Sequence, residues 1–148
     1  IPVNIIQSVM ATGPCSLIEF GEKIQAVITF KEQPQAQLLI DANKRIHNIL
    51  KKQNLSEKLT INPALCSELE EIKLLGILRD NKDNVIKLVK DRDYTGSLMI
   101  LASLKEPVDE FFNAVLVMDN NPAVRDNRLA ILSELRELFL LTADFSHL

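Results

Sequence analysis

The stretch EPVDEFFNAVLVMDNNPAVRDNRLAILSELRELFLLTADF, from Glu106 to Phe145, predicts the architecture of the whole chain. Its composition indicates one helix, a short polar break and a second helix. Pro107 suits a first helical turn, where a missing N–H breaks no hydrogen bond, and the acidic residues after it complement the positive end of that helix. In the break, Asn121 can cap the next helix and Pro122 can occupy its first position. Beyond Pro122 the residues favour helix to the end of the chain.

The second of these helices is amphipathic, with one exception. At about 100° per residue, its apolar residues fall on one arc and its acidic residues fall away from it. Arg128 lies on the apolar arc near the helix start, and an arginine is rarely buried without a partner. Three interpretations stay open. The side chain reaches past the helix start to solvent, pairs with an acid such as Asp109 on the preceding helix, or faces a ligand anion.

The composition of the rest of the chain favours helix over sheet. Of the 148 residues, 47% are hydrophobic, which is enough for a core, while glycines (4) and aromatic residues (5%) are scarce. Good helix formers dominate, and no segment alternates apolar and polar residues for long enough to indicate a strand. We therefore predict a single all-α domain over residues 1–148, a bundle of about six or seven helices.

The same composition excludes several classes of function. The 17 basic and 20 acidic residues give a net charge of −3, and no run approaches the roughly 18 apolar residues that span a bilayer. We expect a cytoplasmic protein without a membrane partner. Cys15 and Cys66 are interpreted as reduced thiols, and neither histidine has a further Cys or His at metal-ligand spacing. Without a glycine-rich phosphate loop, a G-x-S-x-G or an HExxH motif, we expect no catalytic residues, no metal site and no catalysis by this chain alone.

Positive charge is concentrated on the predicted third helix, which runs from Pro34 to about Lys52. Residues 34–54 contain four basic residues and one acidic residue, a local charge of +3 (4 − 1). Opposite the apolar arc of this helix lies a set that we call the basic face: Lys44, Arg45, Asn48, Lys51 and Lys52. Two interpretations stay open. It is a solvated helix surface, or its cations neutralise nucleic-acid phosphates while Asn43 and Asn48 read base edges.

The polar break before the last helix is a second candidate surface. Asn121 is followed by Arg125, Asn127 and Arg128. Amide-rich helix starts bind anions through their free N–H groups and the helix dipole. A helix cap explains Asn121 equally well without a ligand. From the residues alone, the chain is thus an all-helical domain with two candidate surfaces for an anionic partner.

Four segments, in order, carry a resemblance to a known family. The first is ANKRIHNIL, residues 42–50, which is similar to a family stretch A-x-K-R-I/V-x-N-I. Residues 108–117 match V/I-x-x-F-F-x-x-V-x-V, residues 127–139 match N-R-L-x-x-L-x-x-L-R-x-L-F, and residues 143–148 match A-D-x-S-x-L. Together they resemble the C-terminal region of the bacterial glycyl-tRNA synthetase beta subunit. The resemblance covers essentially the whole chain, and several long motifs in order make it more specific than any single pattern.

This resemblance implies a fold and a function that spacing alone does not show. The fold would be a helical anticodon-binding domain of the DALR type, although the literal D-A-L-R tetrapeptide is absent. The chain would be the C-terminal fragment of a longer beta subunit, which fits a first residue that is not Met. The implied function is to bind the anticodon region of tRNA(Gly) and position it for glycylation by the alpha-subunit active site. The fragment itself would not be an enzyme, although the parent complex is an ATP-dependent glycine-tRNA ligase.

The implied partners are tRNA(Gly) and, through the full-length beta subunit, the synthetase alpha subunit. No DNA is expected. No cofactor is expected in this domain, since ATP and magnesium belong at the alpha-subunit active site. The alternative is a helical protein-interaction module that docks onto the rest of the synthetase or another subunit. Exposed Leu or Phe side chains at residues 138–141 would favour it.

The resemblance also gives the candidate residues a role. We expect four cations to hold the backbone of the anticodon stem or loop: Lys44, Arg45, Lys51 and Lys52. Six further residues are candidates for base or phosphate contacts: Asn43, Asn48, Arg125, Asn127, Arg128 and Arg136. Their side chains suit the edges and planes of splayed loop bases. Tyr94, Phe111 and Phe112 are expected to lie in the core rather than to stack on bases.

Overall fold

The computed structural model of the protein describes residues 1–53 and 59–148, and these are folded as an all-α domain. Their α-helices are α1 (Val3–Met10), α2 (Leu17–Lys31), α3 (Ala36–Gln53), α4 (Leu69–Lys90), α5 (Tyr94–Ala102), α6 (Lys105–Ala114) and α7 (Pro122–Leu140). Two short 3-10 helices, η1 (Pro63–Leu65) and η2 (Phe145–His147), complete the described elements. With seven α-helices and no strand in these ranges, the predicted fold class is confirmed. The sequence QNLSEKLTINPALC, residues 53–66, predicts a long loop, which lies partly outside the described residues.

Ser16 and Glu19 have capping-box spacing in the sequence, and Asn121 is the predicted cap of α7; the structure has a side-chain cap at Ser16 and at Asn121. The Ser16 hydroxyl accepts a hydrogen bond from the Glu19 N–H at 3.2 Å. The Asn121 side chain accepts one from the Ala123 N–H at 3.0 Å, and Pro122 occupies the first turn of α7. Each side-chain oxygen satisfies a donor that the helix itself cannot.

In the sequence, Ser67 and Glu70 have the spacing of a capping box and predict the start of α4 there. The box is formed one residue later, by Glu68 and Glu71. The Glu71 carboxylate accepts a hydrogen bond from the Glu68 N–H at 3.1 Å. The Glu71 side chain is fully buried and also pairs with Arg128 of α7, and this pairing holds its carboxylate at the start of α4.

Helix α7 is the central element of the domain. Ten of its residues are buried, from Asn127 to Phe139, and the helix contacts α3, α4, α5 and η1. Its buried surface is wider than the arc that periodicity predicts, because Leu129 and Ala130 are also covered. A helix enclosed on several sides in this way fixes the positions of its neighbours.

The prediction that the chain stays helical to its end is wrong. Helix α7 ends at Leu140, and η2 turns back into the core. Asp144 caps η2 by accepting a hydrogen bond from the Ser146 N–H at 3.0 Å. The turn inserts Phe145 beside Phe30 of α2 and Phe139 of α7, with ring centroids 5.0 and 4.7 Å away. Burial of this aromatic ring offsets the helical hydrogen bonds that the turn gives up.

This aromatic cluster is expected to dominate local stability. Phe139→Ala should lower the free energy of unfolding by about 3–5 kcal/mol, because it removes buried surface and leaves a cavity. The measurement is urea denaturation followed by circular dichroism. Leu17→Ala is the matched control, since Leu17 is 86% exposed, and we expect a change within about 0.5 kcal/mol. Equal effects of the two substitutions would contradict the packing described.

Candidate nucleic-acid interface

The basic face lies on the outer side of α3 because the inner side is packed. Leu39 and Ile46 are fully buried, and α3 contacts α6, α7 and η2. The opposite arc therefore points to solvent. Four members of the basic face are exposed and Lys44 is partly so: Arg45, Asn48, Lys51 and Lys52 are the exposed ones.

The four cations of the basic face are not tied up by described carboxylates. The ion pairs found among residues 1–53 and 59–148 join other side chains. Asp41, the acid on the same arc, instead accepts a hydrogen bond from the Gln37 side chain at 2.8 Å. The face thus carries net positive charge that an anion could neutralise, and RNA contact by these cations stays a prediction.

Arg45 has an environment that the three lysines lack. Its guanidinium carbon lies 4.5 Å from the centroid of the Phe112 ring of α6. Phe112 was expected in the core; the structure places it half-buried at the core's edge, beneath this arginine. Tyr94 and Phe111 are buried as predicted.

Two of the candidate asparagines lie inside the protein. Asn43 is 1% exposed, and its amide donates a hydrogen bond to the Leu39 carbonyl at 2.8 Å. Asn127 is 2% exposed, and its carbonyl oxygen accepts a hydrogen bond from the Asn62 N–H at 2.7 Å. Since these groups have partners within the fold, we assign both asparagines to the scaffold and do not place them on the interface.

Arg128 is also a scaffold residue, and its partner differs from the one suggested. Its guanidinium pairs with the Glu71 carboxylate at 2.8 Å and donates a hydrogen bond to the Leu116 carbonyl at 2.6 Å. Asp119 lies 3.5 Å away. The interpretation that an acid pairs with Arg128 is therefore correct, but the acid is not Asp109. Asp109 is exposed on α6, whereas Glu71 is buried in the first turn of α4 against α7.

Arg136 joins α7 to α3 and to the C-terminal segment. Its guanidinium lies 3.1 Å from the Asp144 carboxylate and 3.1 Å from Nδ1 of His47. Because an arginine can only donate, Nδ1 accepts and the His47 ring is neutral in this arrangement. Burial, followed by the charge of Arg136, lowers the pKa of His47. Arg136 is 8% exposed, so we assign it to the scaffold as well.

The last candidate, Arg125, lies at the edge of the fold. It is partly buried in the second turn of α7, and its Nε is 3.5 Å from the Asp126 carboxylate. Among the described residues this is its only ion pair, and the contact is long. Among the described residues, no hydrogen bond or ion pair joins the Arg125 side chain to the basic face.

The fold and the exposed cations define the class of protein: it is a helical domain with a basic helix surface on an otherwise acidic chain. The sequence pattern of the DALR anticodon binding domain matches residues 39–143. The chain belongs to this family, as the sequence resemblance predicted. Helices α1 and α2 precede the matched region.

The curated relatives are glycine-tRNA ligase beta subunits. The chain is 45% identical over 144 residues to the protein of Psychromonas ingrahamii, covering 97% of this chain and 21% of that protein. It is 40% identical over 146 residues to the protein of Marinobacter nauticus, with the same two shares. For Coxiella burnetii the identity is 43% over 148 residues, covering 99% of this chain and 21% of the relative. The chain thus spans about a fifth of the length of the curated relatives it matches. None of the described helices has the length and hydropathy to cross a membrane.

The Arg128–Glu71 pair gives a prediction about the scaffold. Arg128→Met should lower the free energy of unfolding by about 3–5 kcal/mol, because Glu71 would keep a buried charge without its partner. The double variant Arg128→Met, Glu71→Gln should cost less than the sum of its single changes. Arg79→Met, an exposed arginine on α4, is the control for urea denaturation. An Arg128→Met effect as small as that control would argue against a buried pair.

The His47 environment predicts a pH dependence of stability. The pKa of folded His47 lies below the ordinary 6.5, so the unfolded chain binds this proton more readily. The contribution of neutral His47 is therefore complete above about pH 6.5 and is lost as the pH falls through the folded-state pKa. His47→Gln keeps an acceptor for Arg136 but removes the titration. We expect it to flatten the decline in unfolding free energy between pH 7 and pH 5, and superimposable curves would refute the assignment.

Proposed function

We propose that this chain holds the anticodon arm of tRNA(Gly) against the basic face of α3. The proposal rests on the match of residues 39–143 to an anticodon-binding domain. The matched region includes the basic face of α3, with its four cations at the surface. The relatives are named as glycine-tRNA ligase beta subunits, and this supports glycine tRNA as the nucleic acid. The backbone of an RNA hairpin supplies the phosphates that such a face neutralises.

The acidic balance of the chain shapes how this face would work. With a net charge of −3, the domain repels a polyanion at long range, whereas the basic face attracts it at short range. Binding by the isolated domain would therefore be weak and sensitive to salt. It would also be oriented, because only one approach brings the phosphates to the cations.

We extend the proposal to the longer protein on the strength of the relatives. Residues 1–148 would be the C-terminal anticodon-binding domain of a cytoplasmic beta subunit. By holding the anticodon, the domain would position tRNA(Gly) for glycylation at the active site of an alpha subunit. That site would supply ATP and magnesium, so this domain would need no cofactor and perform no catalysis of its own.

Charge reversal on the basic face tests the proposal. Lys51→Glu with Lys52→Glu should weaken binding of a glycine tRNA anticodon hairpin. We expect the slope of log affinity against log salt to become shallower by about one or two, since roughly 0.7–0.9 of a counterion is released per phosphate contact. Fluorescence anisotropy with labelled hairpin over a salt series measures both quantities.

The matched control is Lys87→Glu with Lys90→Glu. Lys51 and Lys52 lie in the last turn of α3, and these two lysines lie in the last turn of α4. Both pairs are exposed, so the two variants change net charge and helix-end electrostatics alike. Equal losses from both would indicate a general charge effect and would contradict a specific face.

The alternative, a protein-docking module, is favoured by exposed apolar residues at a place other than the predicted one. At the predicted place, residues 138–141, Leu138 and Phe139 are buried, so most of the apolar surface there is covered. Exposed apolar residues occur instead on α1 and at the start of α2: Val3, Met10, Leu17 and Ile18. A groove of about 510 Å³ lies at the turn between the two helices, and Met10 and Leu17 are part of its mainly apolar lining. Since the curated relatives are nearly five times as long as this chain, the occupant would be another part of the same polypeptide.

The two candidate functions predict different effects of substitutions on the exposed apolar residues at the start of α2. In a polypeptide of the relatives' length, Leu17→Ser with Ile18→Ser should lower the melting temperature if these residues form an internal interface. In the 148-residue chain the same change should leave hairpin binding unaltered. Loss of hairpin binding instead would place the RNA on α1 and α2 and would refute the α3 face.

A further inference from the structure

The contact between Arg45 and Phe112 extends inward as a short ladder of rings. Arg45 lies over the Phe112 ring at 4.5 Å. Phe112 in turn meets Phe111 edge to face, with centroids 5.7 Å apart and planes at 86°. Phe111 is fully buried. The exposed guanidinium is thus supported by a half-buried ring, which is itself anchored in the core.

This arrangement leaves the outer side of Arg45 available. Arg45 is exposed, and no carboxylate in the part of the chain that the structure describes forms an ion pair with it. One side of the guanidinium rests on Phe112 and the other meets solvent. A guanidinium is planar and more weakly hydrated than an ammonium, so it stacks on aromatic surfaces as well as pairing with anions.

We propose that Arg45, supported by Phe112, is the stacking platform for one unpaired base of the anticodon loop. This inference rests on the proposed function and assigns Arg45 a role beyond phosphate contact. Unpaired loop bases are bound by stacking on aromatic rings or on arginine planes. The base would complete a sandwich of base, guanidinium and Phe112, with the cation between two π systems.

Other residues of the basic face lie where they can contact the phosphates and the edge of the stacked base. Lys44 and Lys52 lie on the same outer arc of α3 and can neutralise the phosphates on either side of a splayed base. Asn48 lies one turn along the helix, within reach of a base edge. Contact with Phe112 restricts the rotamers of Arg45 before RNA arrives, which lowers the entropy lost on binding. A flexible phosphate clamp would need no such support.

The test separates the plane of Arg45 from its charge. Arg45→Lys keeps the charge but removes the planar group. Binding of the 148-residue chain is measured with the glycine tRNA anticodon hairpin and with hairpins in which each loop nucleotide in turn is abasic. On the intact hairpin we expect Arg45→Lys to weaken binding by about 5- to 150-fold, the range for loss of one stacked base. The salt slope should stay unchanged because no charge is lost.

The abasic series identifies the stacked base. At one loop position, removing the base should weaken wild-type binding by a similar factor, and Arg45→Lys should then have no further effect. Phe112→Leu should weaken binding with the same dependence on position. Circular dichroism checks that each variant keeps its helices. Arg79→Lys, at an exposed arginine on α4, is the control for the exchange of arginine for lysine.

Other outcomes overturn the inference in distinguishable ways. If Arg45→Lys has no effect, or weakens every hairpin equally, Arg45 is no stacking platform, although the face still binds RNA. If reversal of Lys51 and Lys52 also leaves binding unchanged, or the chain does not bind the hairpin, the proposed function fails at this face and the platform fails with it.

Discussion

The buried pair between Arg128 and Glu71 constrains the arrangement of the whole domain. Burying two charges is costly, so such a pair is stable only with good geometry and further hydrogen bonds. Arg128 meets both conditions, since it reaches the Glu71 carboxylate at 2.8 Å and the Leu116 carbonyl at 2.6 Å. Glu71 also closes the capping box of α4. One interaction thereby links the first turn of α4, helix α7 and the segment between α6 and α7.

A second polar contact fixes the orientation of α3. Arg136 of α7 meets His47 of α3 and Asp144 of the C-terminal segment. Together with Phe145, it fixes the inner side of α3 against the core, and so determines which residues of α3 face solvent. The result is a separation of cations by role. The arginines of α7 at these positions pair with acids inside, while the cations on the outer face of α3 have no acidic partner among the described residues. An acidic protein can present a basic surface by this means.

Local sequence predicted the helices and the caps of α2 and α7 because propensity, periodicity and capping depend on neighbouring residues. It also predicted the exposed cations of α3, whose spacing places them opposite the apolar arc. The interior roles of Asn43, Asn127, Arg128 and Arg136 were not predictable in this way, because their partners are set by tertiary packing. Glu71 lies 57 residues from Arg128, and periodicity shows that an arginine faces inward without showing which acid it meets. The early end of α7 has the same origin, since only the core explains why Phe145 turns back.

In the proposed function, an RNA hairpin binds the domain on the outer side of α3. The most direct measurement is an NMR titration of the uniformly ¹⁵N-labelled chain with the glycine tRNA anticodon hairpin. If the hairpin lies on the basic face, the largest amide shifts fall at residues 44–52 and around Phe112, with α1 and the first turn of α2 unchanged. Shifts concentrated on α1 and α2, with residues 44–52 unaffected, would contradict it.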